Sequence, residues 1–249
     1  MYPPANMQLE APPSATHGGR VDTLDWQRIE HDLDEYGSAL IPRLITSSEC
    51  DALVKSYSRD DLYRSTIVMA RHGFGRGEYK YFSYPLPDIV GRLRTALYPR
   101  LVPIANRWNG DMHIDVQYPA RHEDFVARCH AAGQTRPTPL ILRYGDGDYN
   151  CLHQDLYGEH VFPLQAACLL SEPGEDFTGG EFVMTEQRPR MQSRVEVVPL
   201  RKGDAIVFAV NNRPVAGTRG TYRVKLRHGV SRLRAGQRYT MGIIFHDSN

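Results

Sequence analysis

The stretch NCLHQD, residues 150–155, places His153 and Asp155 two positions apart. In an extended strand, side chains two residues apart point to the same face, so an imidazole and a carboxylate at this spacing can bind one ion together. An HxD pair is a weak signal by itself, because it occurs often by chance and a buried histidine is usually a hydrogen-bonded core residue. A metal site therefore requires a third ligand from elsewhere in the chain.

A third ligand is predicted at His228, in the stretch RHGVSR. Strand alternation places it on one face with the apolar positions of its strand and places three basic residues on the other face. The first set is Tyr222, Val224, Leu226 and His228, and the second is Arg223, Lys225 and Arg227. Two imidazoles and one carboxylate on one side of an ion leave coordination positions open, as non-haem iron(II) oxygenation requires.

Arg238 follows ten residues after His228 and begins a predicted strand on which Thr240, Gly242 and Ile244 share its face. The small residues leave room beside the guanidinium, whose planar fork can donate two parallel hydrogen bonds to a carboxylate. The alternative interpretation is an arginine that pairs with an acidic residue at the mouth of a barrel.

The pattern around these residues predicts the fold. From Pro139 onward, short apolar runs such as LILRY, FPLQAACLL and DAIVFAV are divided by Gly, Pro, Asn and Asp, which is typical of a β-sandwich or barrel. Helical patterns precede them. Their signals are Trp26 to Gly37, a capping box from Thr46 to Glu49, a stripe from Ile89 that Pro99 and Pro103 interrupt, and residues 121–132. We predict an α+β, mainly β fold: a double-stranded β-helix (jelly roll) core buttressed by N-terminal helices.

The domain organisation follows from the same pattern. Residues 1–20 are rich in Pro, Ala, Gly and Ser and are expected to form a flexible tail. Residues 21–249 are expected to form a single domain, with helical support at about 21–135 and the jelly roll at about 139–249. The chain of 249 residues is long enough to bury a core.

Composition excludes several classes of protein. Hydrophobic residues make up 41% and charged residues 24%, as in a folded globular protein. No apolar run approaches the roughly 20 residues that span a bilayer, and no secretory signal is evident, so we expect a cytoplasmic protein without membrane attachment. The four cysteines are widely spaced without a CxxC pair, which argues against a zinc ribbon or a disulfide scaffold.

Charge is distributed unevenly. Residues 187–238 contain 13 Lys or Arg but only two acidic residues, whereas the whole chain has a net charge of +1. Exposed strand faces solvated by arginine would explain this asymmetry, and so would a surface for an anionic partner.

The sequence resembles the 2-oxoglutarate and Fe(II) dependent dioxygenases of the prolyl-4-hydroxylase-like branch. The matching stretches are YGDGDYNCLHQD, DFTGGEF, VPLRKGDAIVF and HGVSRLRAGQRYTMGIIF. It is more closely similar to a bacterial group described as oxygenases of damaged nucleic acid, through YRSTIVMARHGFGRGEYKYFSYPLP and QTRPTPLILRYGDGDYNCLHQDLYGE.

The resemblance implies that His153, Asp155 and His228 bind iron and that Arg238 binds the distal carboxylate of 2-oxoglutarate. It also makes Tyr144 and Thr240 candidates for holding this cosubstrate. The implied reaction hydroxylates a C–H bond and converts 2-oxoglutarate and O₂ to succinate and CO₂, with ascorbate as a candidate reductant. On an N-methyl group the hydroxylated product collapses to formaldehyde and an amine.

The sequence indicates the substrate less clearly than it indicates the reaction. Cations interleaved with aromatic residues between Arg64 and Tyr84 favour nucleic acid, because cations bind phosphates and aromatic rings stack on bases. Arg71 and Tyr81 are the candidates there, and Arg188 and Arg190 are candidates in the segment 186–194. A β-rich lid of packed tyrosines and a hairpin tip are the structural alternatives. A protein or small-molecule hydroxylase, or a non-enzymatic metal-binding jelly roll, would also carry this pattern.

Overall fold

The structure is a computed structural model that describes residues 17–156, 158–218 and 220–249. The helices are α1 (His17–Asp22), α2 (Trp26–Tyr36), α3 (Ser47–Ser56), α4 (Asp88–Asp111) and α5 (His122–Ala131). The strands before position 160 are β1 (Ser38–Ile41), β2 (Tyr63–Val68), β3 (Gly75–Arg76), β4 (Glu78–Phe82), β5 (Leu140–Tyr144) and β6 (Tyr149–His153). Those after it are β7 (Leu164–Leu169), β8 (Phe177–Gly179), β9 (Phe182–Gln187), β10 (Arg194–Val198), β11 (Ala205–Ala209), β12 (Asn212–Gly217), β13 (Gly220–Val230), β14 (Leu233–Gly236) and β15 (Arg238–Ile243).

Two antiparallel sheets form the core. The larger sheet has the strand order β1-β11-β7-β15-β5-β4-β2, and the smaller has β10-β9-β13-β6-β3 with β12 paired to β13. Helices α2 and α4 contact β11 and β15 of the larger sheet. Every residue of β7 and β11 is buried, as expected for strands that are covered on both faces. The predicted α+β, mainly β fold is confirmed.

The first helices form where local signals place them. Asp25 caps α2 by accepting a hydrogen bond from the backbone of Arg28, and Gly37 ends the helix in the left-handed region at φ 76°. The predicted capping box between Thr46 and Glu49 is present at the start of α3. Across the described ranges, no helix combines the length and the apolar character needed to cross a bilayer.

The N-terminal region differs from the prediction in two respects. Residues 1–16 lie outside the described residues, but residues 17–20, expected in the tail, belong to α1. They are anchored because Arg20 pairs with Glu49 at 2.7 Å and the adjacent Val21 is fully buried. The segment predicted as helical support also contributes β2 and β4 to the larger sheet, where β4 pairs directly with β5. The single-domain assignment of 21–249 stays a prediction.

The predicted interruption at Pro99 and Pro103 is wrong. Helix α4 runs through both prolines for 24 residues. Each proline removes one intrahelical hydrogen bond. The helix is nevertheless retained because residues on both sides of the prolines, from Val90 to Trp108, are buried in the core. Packing therefore outweighs the local backbone preference at these positions.

One buried arginine joins the helices to the smaller sheet. Arg213 on β12 is 1% exposed and donates to the carbonyls of Asp34 and Glu35 at the end of α2 and, at 2.6 Å, to the carboxylate of Glu186. A cation at the C-terminal end of a helix also interacts favourably with the negative end of the helix dipole.

Replacing this arginine should be costly. We expect Arg213→Met to lower the free energy of unfolding by about 3 kcal/mol, the lower end for breaking a buried pair, since Arg188 still bonds to Glu186. Urea denaturation measures this change. Lys225→Met, an exposed site on the neighbouring strand, is the matched control and should change stability by less than about 0.5 kcal/mol. Equal midpoints for the two variants would contradict the assigned role of Arg213.

Candidate active site

A cavity of about 360 Å³ opens between the two sheets. Strands β4, β5, β7, β11 and β15 line it from the larger sheet, and β6, β9 and β13 line it from the smaller sheet. The walls are largely apolar, and the polar side chains within them are concentrated at two places. This composition is typical of a small-molecule site, in which a few polar groups fix the orientation of the ligand.

The first polar group consists of the three predicted metal ligands. His153 ends β6, Asp155 follows two residues later, and His228 lies on β13 directly opposite His153 in the strand pairing. The alternation predicted for β13 is confirmed, since Val224, Leu226 and His228 are buried while the intervening basic residues are exposed.

The distances between these side chains suit one ion. The Nε2 atoms of His153 and His228 lie 3.5 and 3.4 Å from the two carboxylate oxygens of Asp155. The candidate ligand atoms of all three residues lie within 4.8 Å of one another. At metal–ligand distances of about 2.1 Å, adjacent ligands of an octahedral ion are roughly 3 Å apart, so little movement is needed to bind one.

The protonation states also suit a metal. The backbone carbonyl of Cys151 lies 2.8 Å from Nδ1 of His153, which fixes the proton there and leaves Nε2 free to coordinate. Burial lowers the pKa of His228 and favours the neutral imidazole that binds metals. Burial alone would raise the pKa of Asp155, but hydrogen bonding from His228 and the effects of the other neighbours, His153 and Gln165, lower it below its ordinary value. Asp155 is therefore ionised, as an anionic metal ligand must be.

The second polar group surrounds Arg238. This residue is 1% exposed, and its Nη1 donates to the hydroxyl of Thr240 at 2.6 Å. Its Nε has no hydrogen-bond partner within the part of the chain that the structure describes. Burial lowers its pKa to about 10, so the side chain remains a cation at neutral pH. A buried cation with an unused donor is the expected form of an anion site whose ligand is bound separately.

Tyr144 adds a second donor to this group. It pairs with Arg238 in the register of β5 and β15, and the guanidinium carbon lies 5.6 Å from its ring centre. Its hydroxyl is buried near Asn150 but forms no hydrogen bond of normal geometry with a described residue. Burial raises its pKa, so the hydroxyl keeps its proton and can donate. Arg238, Tyr144 and Thr240 thus form one cluster that fits a carboxylate.

Residues 77–248, which contain both polar groups, match the model of a family described as "Oxygenase, catalysing oxidative methylation of damaged DNA". The chain belongs to this family of oxygenases. The predicted resemblance to oxygenases of damaged nucleic acid is confirmed at family level, and the oxygenase is an oxidoreductase.

Comparison with known proteins adds relatives and fold neighbours of the oxygenase. Two uncharacterized proteins of Mycobacterium tuberculosis, from two strains, are 51% identical over 167 residues, which cover 67% of this chain and 72% of theirs. A prolyl hydroxylase from Trichoplax adhaerens superposes with a TM-score of 0.55 at 13% identity, covering 91% of this chain and 90% of its own.

Two further structures support the fold. A Pseudomonas putida prolyl-4-hydroxylase has a TM-score of 0.52 at 14% identity and covers 90% of this chain and 99% of its own. A 2OG-Fe(II) oxygenase family oxidoreductase from Burkholderia pseudomallei has a TM-score of 0.51 at 16% identity, over 91% and 94% of the two chains. The predicted jelly-roll core is thereby confirmed. Family, fold and the His-Asp-His set together bear out an iron(II), 2-oxoglutarate and O₂ dependent oxygenase.

The predicted substrate residues are not all brought to the cavity. Tyr81 lines it, beside Tyr79. Arg71 is exposed just before Gly73 and Phe74, which line it as well. Arg188 lies in the turn between β9 and β10, bonded to Glu186, and Arg190 is exposed in the same turn. Neither of these two lines the cavity, and their contact with substrate stays a prediction.

The interleaved cations and aromatic residues of segment 64–84 divide into two groups. Some are structural: Lys80 is buried against Asp60, Arg64 stacks on Tyr81, and Tyr84 bonds to Asp247. Others are exposed, namely Arg71, His72, Phe74 and Arg76. The alternative of a packed tyrosine lid thus describes the first group. The exposed residues of the second group are accessible to a substrate.

One functional candidate escaped the sequence analysis. Gln165 on β7 lines the cavity and donates to Asp155 at 2.8 Å. The available signal was a single polar residue inside the apolar run FPLQAACLL, in a strand where both neighbours are apolar. A polar residue at a buried strand position needs a partner, and that need indicates a site.

Proposed function

We propose that this oxygenase hydroxylates a C–H bond of an alkylated nucleic acid, with iron(II) bound by His153, Asp155 and His228 and with 2-oxoglutarate anchored by Arg238. The observation that carries the proposal is the pairing, in one cavity, of a facial ligand set with a buried cation that has an unused donor at Nε. The first suits an iron(II) ion with open positions, and the second suits the distal carboxylate of the cosubstrate.

Each residue of the candidate site has a defined role in this proposal. Asp155 supplies the negative charge of the ligand set, and burial favours the neutral imidazole of His228. The contact of Nδ1 of His153 with the carbonyl of Cys151 turns its Nε2 to the metal. Arg238 and Tyr144 donate to the distal carboxylate, which orients the cosubstrate along the cavity. When bound, the iron and 2-oxoglutarate supply the oxidation by O₂, in which 2-oxoglutarate becomes succinate and CO₂ and one oxygen atom enters the substrate C–H bond. Phe182 and Phe208, packed around His228, keep water from that side of the site.

The surface at the cavity mouth supports a planar, anionic substrate. Phe74 is 43% exposed, lines the cavity and stacks on His72 with ring centres 5.3 Å apart. Exposed Arg71 and Arg76 lie within three residues of this ring pair. Aromatic rings that stack on a base, next to cations that bind phosphates, form a suitable surface for an exposed or flipped nucleotide. The family description, which refers to damaged DNA, supports the same substrate class.

A mass-spectrometric screen tests the substrate. We expect formaldehyde release from N-methylated oligonucleotides when iron(II), 2-oxoglutarate, ascorbate and O₂ are supplied, and no release by His153→Ala, which lacks one ligand. Peptides containing proline serve as the comparison, with a gain of 16 Da as the readout for hydroxylation. Products confined to the peptides would overturn the nucleic-acid proposal and favour a protein hydroxylase. Weaker binding at higher salt would be an insufficient test, because any basic surface gives that result.

A further inference from the structure

Gln165 occupies an unusual position for an amide. It lies on β7, a strand whose residues are all buried, and is itself 7% exposed at the wall of the cavity. Leucine, alanine and cysteine occupy the other positions of this strand. Burying an amide there is unfavourable unless both its donor and its acceptor find partners.

The donor side of this amide faces the proposed metal ligands. Nε2 donates to Oδ2 of Asp155 at 2.8 Å and lies 3.4 Å from Nε2 of His228. The chemistry determines this orientation, since the reversed amide would place its oxygen against a carboxylate oxygen. Gln165 therefore holds the carboxylate of Asp155 from the side of the larger sheet, whereas the two histidines approach from the smaller sheet.

The acceptor side is unused. Oε1 of Gln165 is buried and has no hydrogen-bond partner within the described ranges. A buried carbonyl oxygen without a partner is costly, and in native structures such groups are accounted for by a bound ligand, ion or water. The residue lines the same cavity as Asp155 and His228, so a ligand that supplied the missing donor would lie next to the proposed metal site.

We propose that Gln165 is both a positioning residue for Asp155 and a specificity-determining residue whose Oε1 accepts a hydrogen bond from an N–H group of the substrate. This inference rests on the proposed function, because it places the substrate beside the metal. It narrows the substrate class to molecules with an N–H donor adjacent to the oxidised carbon. Among methylated bases, 3-methylcytosine has an amino group beside its N-methyl group, whereas 3-methylthymine has a carbonyl oxygen there.

Gln165→Met tests both roles, because methionine has similar length but neither donates nor accepts strongly. The first readout is the dissociation constant of Mn(II), measured by calorimetry without turnover. We expect it to rise about 10- to 100-fold, as is usual when the hydrogen-bond partner of a metal ligand is removed. The second readout is the ratio of kcat/KM for two oligonucleotides that differ only in 3-methylcytosine or 3-methylthymine. We expect a preference of about tenfold or more for 3-methylcytosine in the wild type and a ratio near one in the variant.

A matched control separates this role from the loss of any buried amide. Gln134 is fully buried and donates to the carbonyls of His160 and Asp247, but does not line the cavity. Gln134→Met should leave both the Mn(II) affinity and the substrate ratio unchanged. Thermal unfolding establishes that each variant is folded, and Gln165→Leu replaces Gln165→Met if the latter is not.

The outcomes are distinct. A Gln165 variant that matches the wild type in both readouts overturns the proposal. Weaker Mn(II) binding with an unchanged substrate ratio supports the positioning role and overturns the acceptor role. If the wild type releases formaldehyde from neither oligonucleotide, the nucleic-acid substrate of the proposed function fails, and the Mn(II) comparison still decides the positioning role.

Discussion

Asp155→Ala is expected to weaken metal binding by roughly 100- to 1000-fold and to abolish turnover. Binding free energies of about 10–16 kcal/mol for four-ligand zinc sites correspond to roughly 2.5–4 kcal/mol per ligand, and each 1.4 kcal/mol is tenfold in affinity. Asp155 carries the only negative charge among the three proposed ligands. The measurement is a calorimetric titration with Mn(II), followed by a succinate assay with iron(II).

A stability measurement distinguishes this loss from misfolding. Asp155 is 8% exposed, and its neighbours lower its pKa, so the folded state favours the carboxylate even without a metal. We expect Asp155→Asn, which keeps the shape and removes the charge, to remain folded with a Tm somewhat below that of the metal-free wild type. Added Mn(II) should raise the Tm of the wild type but not that of the variant. A variant that Mn(II) stabilises as strongly as the wild type would remove Asp155 from the ligand set.

Arg238→Met is expected to weaken 2-oxoglutarate binding roughly 30- to 4000-fold. Removing one partner of a buried charge pair costs about 2–5 kcal/mol, because the other charge is left buried without compensation. The variant should at the same time be as stable as the wild type or more stable without cosubstrate, since it replaces a buried cation that has an unused donor. Calorimetry with Mn(II) in place of iron and without O₂ measures the affinity.

A second ligand isolates the contact with the distal carboxylate. 2-Oxopentanoate has the same chelating end as 2-oxoglutarate but lacks the distal carboxylate. The wild type should bind 2-oxoglutarate more tightly than 2-oxopentanoate, by about the same factor by which Arg238→Met weakens 2-oxoglutarate binding. The variant should bind the two ligands with equal affinity. Arg238→Lys keeps the charge without the planar fork and should give an intermediate preference. A strong preference retained by Arg238→Met would show that another residue binds this carboxylate.

The sequence was sufficient for the features that depend on strand periodicity. His228 lies on the buried face of β13 as strand alternation predicts, whereas Asp155 lies in the loop after β6, so alternation within one strand does not account for its place beside His153. The structure places these three side chains together. Arg238 and Thr240 were likewise predicted to share a face, and their side chains are hydrogen-bonded.

Features that depend on tertiary packing could not be predicted in this way. Continuation of α4 through Pro99 and Pro103 depends on burial against the rest of the molecule, which local propensity does not contain. Addition of β4 to the edge of β5 is a long-range pairing without a local signal. The environment of Gln165 depends on strands β7 and β13 and on the loop that carries Asp155, so its polar character was visible in the sequence but its partners were not.

His228 and His153 face each other across β13 and β6. The register of these strands is therefore as important for the metal site as the identity of the ligands. β13 is also aligned residue by residue with β9 from Lys225 to Val230, and its pairing with β6 becomes irregular just after His228. A slip of one residue along this alignment would turn His228 to the solvent and bring Arg227 into the cavity. Insertions should therefore be tolerated in the turn between β12 and β13, whereas a single residue inserted between Val224 and His228 should eliminate the metal site with all three ligands still present.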